Sequence, residues 1–357
     1  MTNRLPPALG ALLLAAVFMT AGGPASAQSS VRLDPGMAPP APAASTLDHP
    51  PPASQSAGSD IADLWRGVRQ GAEGTTTNIN PRARTLIQSE GELWRAVRNG
   101  PLSTYGLWAL GGIVALLALF FAVRGRIRID GAPTGRTVER FNLIERAAHW
   151  LTAGSFVVLG VTGLNVLYGR HALLPLLGPE AFAAITHYGK LAHNFLGFSF
   201  IAGLVLIFLM WVRHNIPDRH DLTWIAKAGG LFSKGVHPPA KKFNAGQKVI
   251  FWSTILGGAA LSFTGLQLLF PFYFATLHEM QLFQIAHAAA AVVMVVIILA
   301  HIYIGSIGME GAFDAMGSGQ VEEQWAREHH SLWLAEVTGE DPTHHHHGSG
   351  RGPHPAE

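Results

Sequence analysis

Five stretches of this 357-residue chain are apolar for long enough to cross a lipid bilayer, and no other property limits its fold as sharply. They run roughly over residues 105–123, 147–167, 191–212, 249–273 and 280–307. Within hydrocarbon every backbone donor and acceptor must be bonded inside the protein, so only helices or a closed barrel can span. Runs of about twenty residues without polar alternation are helices, and the expected fold is an all-α membrane protein. Composition agrees, since 48% hydrophobic residues, 13% charged residues and a mean hydropathy of +0.24 exclude an ordinary soluble domain. A net charge of +2 gives no reason to expect a nucleic-acid partner.

Basic residues set the orientation. Arg124, Arg126, Arg128, Arg136, Arg140 and Arg146 follow the first span, and Arg213, Arg219, Lys227, Lys234, Lys241, Lys242 and Lys248 follow the third. The other side offers Arg170 and Lys190 between the second and third spans and nothing between Phe272 and Glu279. The two basic loops are therefore expected in the cytoplasm, in a bacterial inner membrane, with the C-terminus inside. Residues 1–27 agree with an exported N-terminus. Arg4, an apolar run over 8–21 and Ala25-Ser26-Ala27 before Gln28 read as a cleavable signal, or alternatively as an uncleaved anchor. The expected order is then signal 1–27, periplasmic extension 28–104 (disordered over the Pro-, Ala- and Ser-rich 28–59), additional span 105–124, cytoplasmic linker 125–146, four-helix bundle 147–308 and cytoplasmic tail 309–357. Within the extension a unit repeats, Asp63-Leu64-Trp65-Arg66 to Gly71 and Glu92-Leu93-Trp94-Arg95 to Gly100. Both copies are expected as short amphipathic helices, either docking an extracytoplasmic partner or lying on lipid headgroups.

Four histidines fall in the apolar segments: His149, His193, His287 and His301. Such residues are costly in a membrane unless they act, the bland alternative being hydrogen bonding at a helix end. His287 and His301 are fourteen residues apart on one helix, which returns the chain to within about 40° of its start and advances it about 21 Å. One helix thus offers two metal ligands on one face at opposite depths. Topology sorts the four, with His193 and His287 near the periplasmic face and His149 and His301 near the cytoplasmic one. Two bis-histidine haems are expected, from His193 with His287 and from His149 with His301. With no cysteine in the chain they must be b-type.

The second span, His149-Trp150-Leu151-Thr152 on to Thr162-Gly163-Leu164-Asn165, matches the fourth, Phe251-Trp252-Ser253-Thr254 on to Thr264-Gly265-Leu266-Gln267, at a constant offset of 102 residues. A duplicated hairpin makes His193 and His287 symmetry mates if the connecting loops differ in length. Phe251 stands where His149 would, so the second ligand on that side must be His301, outside the symmetry. Gly160, Gly163, Gly197, Gly257, Gly258 and Gly265 either let a porphyrin approach the backbone or pack helices closely.

These residues resemble a family. Arg146-Ala147-Ala148-His149-Trp150, His214-Asn215-Ile216-Pro217-Asp218, Asn244-Ala245-Gly246-Gln247-Lys248 with Phe251-Trp252, His287-Ala288-Ala289-Ala290 and Trp325-Ala326-Arg327-Glu328-His329-His330 place residues 137–340 beside the cytochrome b556 (gamma) subunit of membrane-bound respiratory formate dehydrogenase. That family is a four-helix dihaem protein related to the cytochrome b subunits of membrane nickel-iron hydrogenases; this would be a long form with an N-terminal extension and one added span. The resemblance implies haem ligation by His149, His193, His287 and His301. It also implies a quinone site at Asn244, Gly246 and Gln247, where the residues alone read as a helix N-cap by Asn244. The implied partners are a catalytic alpha subunit, an iron-sulfur beta subunit, membrane lipid and quinone, and the implied role is to carry electrons from periplasmic formate oxidation to quinone at the cytoplasmic side. Formate oxidation itself would lie outside this chain. A hydrogenase cytochrome b, and more distantly a non-redox anchor or haem carrier, are the alternatives. His344 to His347 either bind metal or belong to a solvated tail.

The charge asymmetry generates a test. A topology reporter fused after Arg128 should read cytoplasmic and one after Pro175 periplasmic; the opposite readings would overturn the orientation.

Overall fold

A computed structural model describes residues 66, 74–75, 85–87, 91–233, 235–271 and 273–339. The expected signal (1–27), the Pro-rich stretch (28–59), all of the first repeat unit but Arg66, and the histidine-rich tail (343–357) lie outside the described residues. The chain divides into two units, 1–96 and 97–357. In the first, β1 (Gly74–Thr75) pairs antiparallel with β2 (Thr85–Ile87). The second repeat unit forms the helix α1 (Gly91–Val97), in which Arg95 pairs with Glu92 at 2.7 Å.

The second unit holds α2 (Ser103–Arg124), α3 (Leu143–Ala172), α4 (Leu174–Trp211), the short α5 (Arg219–Ala226), α6 (Ala245–Leu269) and α7 (Leu277–Tyr303). All but α5 are long and apolar enough to cross a membrane. α3 packs on α4 and α6 on α7 as two hairpins, which meet through α4 with α6 and α3 with α7; α2 lies against α7, outside the four. The fold is thus an all-α membrane bundle with one added helix.

Helix ends differ from the apolar runs because capping chemistry, not hydropathy, sets them. α3 starts inside the expected linker. The Asn142 side chain accepts the Glu145 amide at 3.0 Å while the Glu145 carboxylate accepts the Asn142 amide at 3.0 Å. α6 starts the same way, 102 residues on, with Asn244 and Gln247 exchanging bonds of 2.9 and 3.1 Å. The repeat therefore extends into the caps. α4 begins well before residue 191, because nothing in Pro179–Lys190 breaks a helix, and its one discontinuity is Gly178 at φ 77° ahead of Pro179. The unbroken stretch after that point, 179–211, is about 50 Å long, more than the roughly 30 Å of hydrocarbon. α6 stops at Leu269, short of residue 273, with Pro271 just beyond.

The best-buried core lies at one end of the bundle, the end that carries residues 125–142, 212–244 and 309–339, called here the linker face. There β3 (Thr137–Glu139) pairs antiparallel with β4 (Gln320–Glu322), Val138 opposite Val321, and α8 (Asp314–Gly317), α9 (Glu323–His329) and α10 (Ser331–Thr338) close the end. Phe141, Trp211, Phe243, Phe251, Trp325 and Trp333 form one cluster. Lipid solvates apolar side chains in the spans, whereas outside the hydrocarbon they must be buried from water.

Arg140 is the polar centre of this cluster and is 3% exposed. Its guanidinium lies 5.3 Å from the ring of Phe141 and 5.2 Å from those of Trp325 and Trp333. Nη2 donates to the Lys242 carbonyl at 2.7 Å and to His330 Nε2 at 3.0 Å. His330 Nδ1 must be the protonated nitrogen, since it faces the Lys241 carbonyl at 2.7 Å, and Nε2 is then free to accept. Burial pushes Arg140 down to about 9, opposed by Glu145, and holds His330 well below the usual histidine range.

Gly203 sets the spacing of α3 and α4, because a Cβ there would sit 3.1 Å from Thr152 N and 3.2 Å from Thr152 Cα. Gly203→Val should therefore destabilise the bundle by about 1–3 kcal/mol. A lowered melting temperature of the detergent-purified chain checks this; an unchanged one would mean that the helices separate freely.

Candidate functional site

The four intramembrane histidines come together as two pairs. His193 on α4 and His287 on α7 have ring centroids 6.2 Å apart, with planes inclined by 64°. His149 on α3 and His301 on α7 have centroids 6.3 Å apart, with planes inclined by 63°. Two imidazoles holding one iron from opposite sides would stand about 6.2 Å apart by ring centres, the sum of two bonds of about 2 Å and about 1.1 Å within each ring. Both separations suit bis-histidine ligation, and contact between the rings themselves does not require it twice.

The repeat supplies the ring orientation on the side away from the linker face. Thr162 Oγ1 donates to the Val158 carbonyl at 2.7 Å and lies 2.8 Å from His193 Nδ1. Thr264 Oγ1 donates to the Ala260 carbonyl at 2.7 Å and lies 2.9 Å from His287 Nδ1. A hydroxyl has one proton, here given to the helix, so toward each imidazole it accepts. Nδ1 is thereby the protonated nitrogen, and the lone pair of Nε2 is left for a metal. The next residue is glycine in both copies, in ordinary van der Waals range of the ring in the first and tighter in the second. A Cβ at Gly163 would be 3.6 Å from His193 Cε1, and one at Gly265 would be 3.3 Å from His287 Cε1. Of the other glycines, Gly257 abuts Met294, Gly258 abuts Leu204 and Phe200, and Gly160 faces Val295, all helix packing. Beside Gly197, one turn after His193, a Cβ would meet nothing within 4 Å, room that a flat group can use.

The pair at the linker face is built differently. His149 Nδ1 is buried with no hydrogen-bond partner among the described residues. No threonine serves it, because its repeat mate is Phe251, whose ring packs in the linker-face core. Trp150 Nε1 instead ties this turn of α3 to the Met316 carbonyl at 2.9 Å, as Trp252 ties α6 to the Asn215 carbonyl at 2.9 Å.

Asn244 and Gln247 spend their side-chain oxygens on the α6 cap, and Arg140 Nη2 also approaches Gln247 Oε1 at 3.5 Å. Their amide NH2 groups make no hydrogen bond within the described residues. Gly246 is held bare by α5, since a Cβ would come 2.8 Å from Trp224 Cη2. α5 itself is clamped to α6 by Lys248 Nζ, 3.2 Å from Asp218 and 2.8 Å from Asp221. Asp218 is held down to about 2, where the His220 amide, Lys241 and Lys248 outweigh its desolvation. The threonines and the Arg140 cluster were missed in the sequence, although Thr162 and Thr264 stood at matching positions of the repeat.

Comparison with known proteins adds an independent line. Residues 140–319 match the family described as prokaryotic cytochrome b561. The chain is 30% identical over 207 residues to the cytochrome b556(Fdn) subunit of the nitrate-inducible formate dehydrogenase of Escherichia coli K12, covering 57% of this chain and 92% of that one. It is 30% identical over 205 residues to the cytochrome b556(fdo) subunit of a formate dehydrogenase of the same strain, covering 56% and 93%. It is 28% identical over 197 residues to the cytochrome b556 subunit of the Haemophilus influenzae formate dehydrogenase, covering 54% and 79%.

Separate pairs on one helix imply separable loss. His287→Ala should lower haem b per chain by about half, read as pyridine haemochrome, because α7 shares no ligand between the pairs. Loss of all haem from a chain that still folds would argue against independent sites.

Proposed function

From the premise that this chain belongs to the prokaryotic cytochrome b561 family, and is a multi-pass membrane protein with a cytochrome b electron-transfer role, we propose that it is the cytochrome b subunit of a formate dehydrogenase. It carries electrons from formate oxidation at the periplasmic face to quinone at the cytoplasmic face. The observation that carries this reading is the coincidence of two histidine pairs on α7 with 30% identity across 92% of a formate dehydrogenase cytochrome b556 subunit. A hydrogenase partner is separated by which catalytic subunits co-purify with the chain.

In this reading His193 with His287, and His149 with His301, each hold a haem b, which supplies reversible one-electron chemistry at iron. α7 sets the two depths, since its ligands are fourteen residues and about 21 Å apart. Thr162 and Thr264 fix the tautomers and strengthen the basicity of His193 and His287. His149 has no such acceptor, so the two sites differ in the hydrogen bonding that tunes potential. Negative charge moved inward against the membrane potential stores about 2.3 kcal/mol per 100 mV. In this reading the catalytic and iron-sulfur subunits stand on the periplasmic side and the linker face is cytoplasmic, an orientation that its arginines and lysines support.

Quinone is placed at Asn244, Gly246 and Gln247. Once the cap is made, the free amide NH2 groups of Asn244 and Gln247 remain as donors to a quinone carbonyl at the edge of the hydrocarbon. Glu145, the repeat mate of Gln247, caps α3 with a carboxylate, so Gln247→Glu should keep the cap while removing the donor. Gln247→Leu removes both. With formate-reduced complex, Gln247→Glu should slow reoxidation by added quinone about 5- to 150-fold, the equivalent of one lost polar contact of about 1 to 3 kcal/mol. Haem content and melting temperature should stay at the wild-type values. A wild-type reoxidation rate in both variants would leave this segment a helix cap and move quinone elsewhere.

A further inference from the structure

Outside the histidine pairs, a second group of metal-ligating side chains gathers at the linker face. Asp130 lies in the segment after α2, His237 in the segment before α6, and Glu328 on α9. Their donor atoms all lie within 4.8 Å of one another. His237 Nε2 is 3.2 Å from Asp130 Oδ2 and 4.0 Å from Glu328 Oε2. His329 lies beside this group of three. Its ring centroid is 6.3 Å from that of His237, and its Nε2 is buried with no partner among the described residues. Asp130, His237 and His329 line a cavity of about 20 Å³, room for a single ion or water.

The carboxylates are held as ligands usually are. Glu328 Oε2 accepts the Asp130 amide at 3.0 Å, and Oε1 accepts the Gly131 amide and Gln324 Nε2, each at 2.8 Å. Asp130 Oδ2 accepts the Gly235 amide at 2.8 Å. Glu328 Oε1 is thereby filled, while Glu328 Oε2 and Asp130 Oδ2 each keep a lone pair after these bonds. Arg124 and Arg128 line the same cavity, and Arg124 Nε is spent on the Leu231 carbonyl at 2.8 Å.

We propose that Asp130, His237 and Glu328, with His329 lining the cavity beside them, form a binding site for a borderline divalent transition-metal ion of the zinc class, which ties together three segments of the linker face. Two carboxylates and an imidazole make a donor set suited to such ions and not to soft copper(I), for which the chain offers no thiolate. Pairs of donors on one tetrahedral ion stand about 3.4 Å apart, so the separations above close with small side-chain shifts. Asp130 and His237 are more than a hundred residues apart in the chain, and Glu328 lies about ninety beyond, so the ion acts as a cross-link. The competing occupant is a proton on His237, bridging the two carboxylates as an ordinary ion pair.

The test uses the full chain, purified without metal affinity, loaded with zinc, dialysed and assayed for metal by mass spectrometry. Any zinc taken up by His344 to His347 is common to all variants, so the difference between variants reads this site. Wild type should hold about one equivalent more than His237→Ala or Asp130→Asn, and chelator should lower the melting temperature of wild type alone. Haem absorbance per chain reports folding of both variants. Equal zinc in all three proteins, with equal response to chelator, would overturn the proposal and leave an ion pair.

Discussion

A histidine inside a bilayer has two ring nitrogens and no water to satisfy either, and the architecture follows from how each nitrogen is used. An unpaired polar group in hydrocarbon costs several kcal/mol. For His193 and His287, the Thr162 and Thr264 hydroxyls take up Nδ1, and the opposing imidazole stands at the separation that a shared metal would need. That arrangement uses threonine on the neighbouring helix and two hairpins closed against each other. The threonine, with the glycine after it, is met twice, at positions 102 residues apart.

Duplication explains what is symmetric, and the departures from it are where the two ends of the bundle diverge. The threonine and histidine of each hairpin are 31 residues apart in one and 23 in the other, yet the bond is the same within 0.1 Å. Loop length has been absorbed by the early start of α4 and its break at Gly178. At the linker face the symmetry fails. His149 is matched by Phe251, and Glu145 by Gln247, so one hairpin contributes a paired histidine where the other contributes core, and one cap carries charge where the other carries an amide.

Cohesion is divided between two media. In the spans small residues such as Gly203 and Gly258 let helices approach, because lipid gives apolar side chains no reason to hide. Outside the hydrocarbon, water does, and the aromatic cluster around Arg140 forms there. Arg140 keeps its charge under burial through three aromatic faces, a carbonyl and a neutral His330. The strand pair β3–β4 and the Glu328 carboxylate then tie the segment after α2 to the end of the chain.

The five helices were legible in the sequence because hydropathy and length are local and the bilayer thickness is fixed. So was the fourteen-residue spacing of His287 and His301, since the helical period converts it directly into depth. The duplicated hairpin was legible too, down to the Thr-Gly-Leu it repeats. The roles of Thr162 and Thr264 were not, because which nitrogen faces which hydroxyl is decided between helices. The cap at Asn244 and Gln247 follows from local chemistry, but the position of Trp224 over Gly246 does not. Least legible was the grouping of Asp130, His237, Glu328 and His329, drawn from segments with no common period or spacing. A motif can be read when one helix or one turn brings its atoms together; these atoms meet only because the bundle packs and its linker face closes.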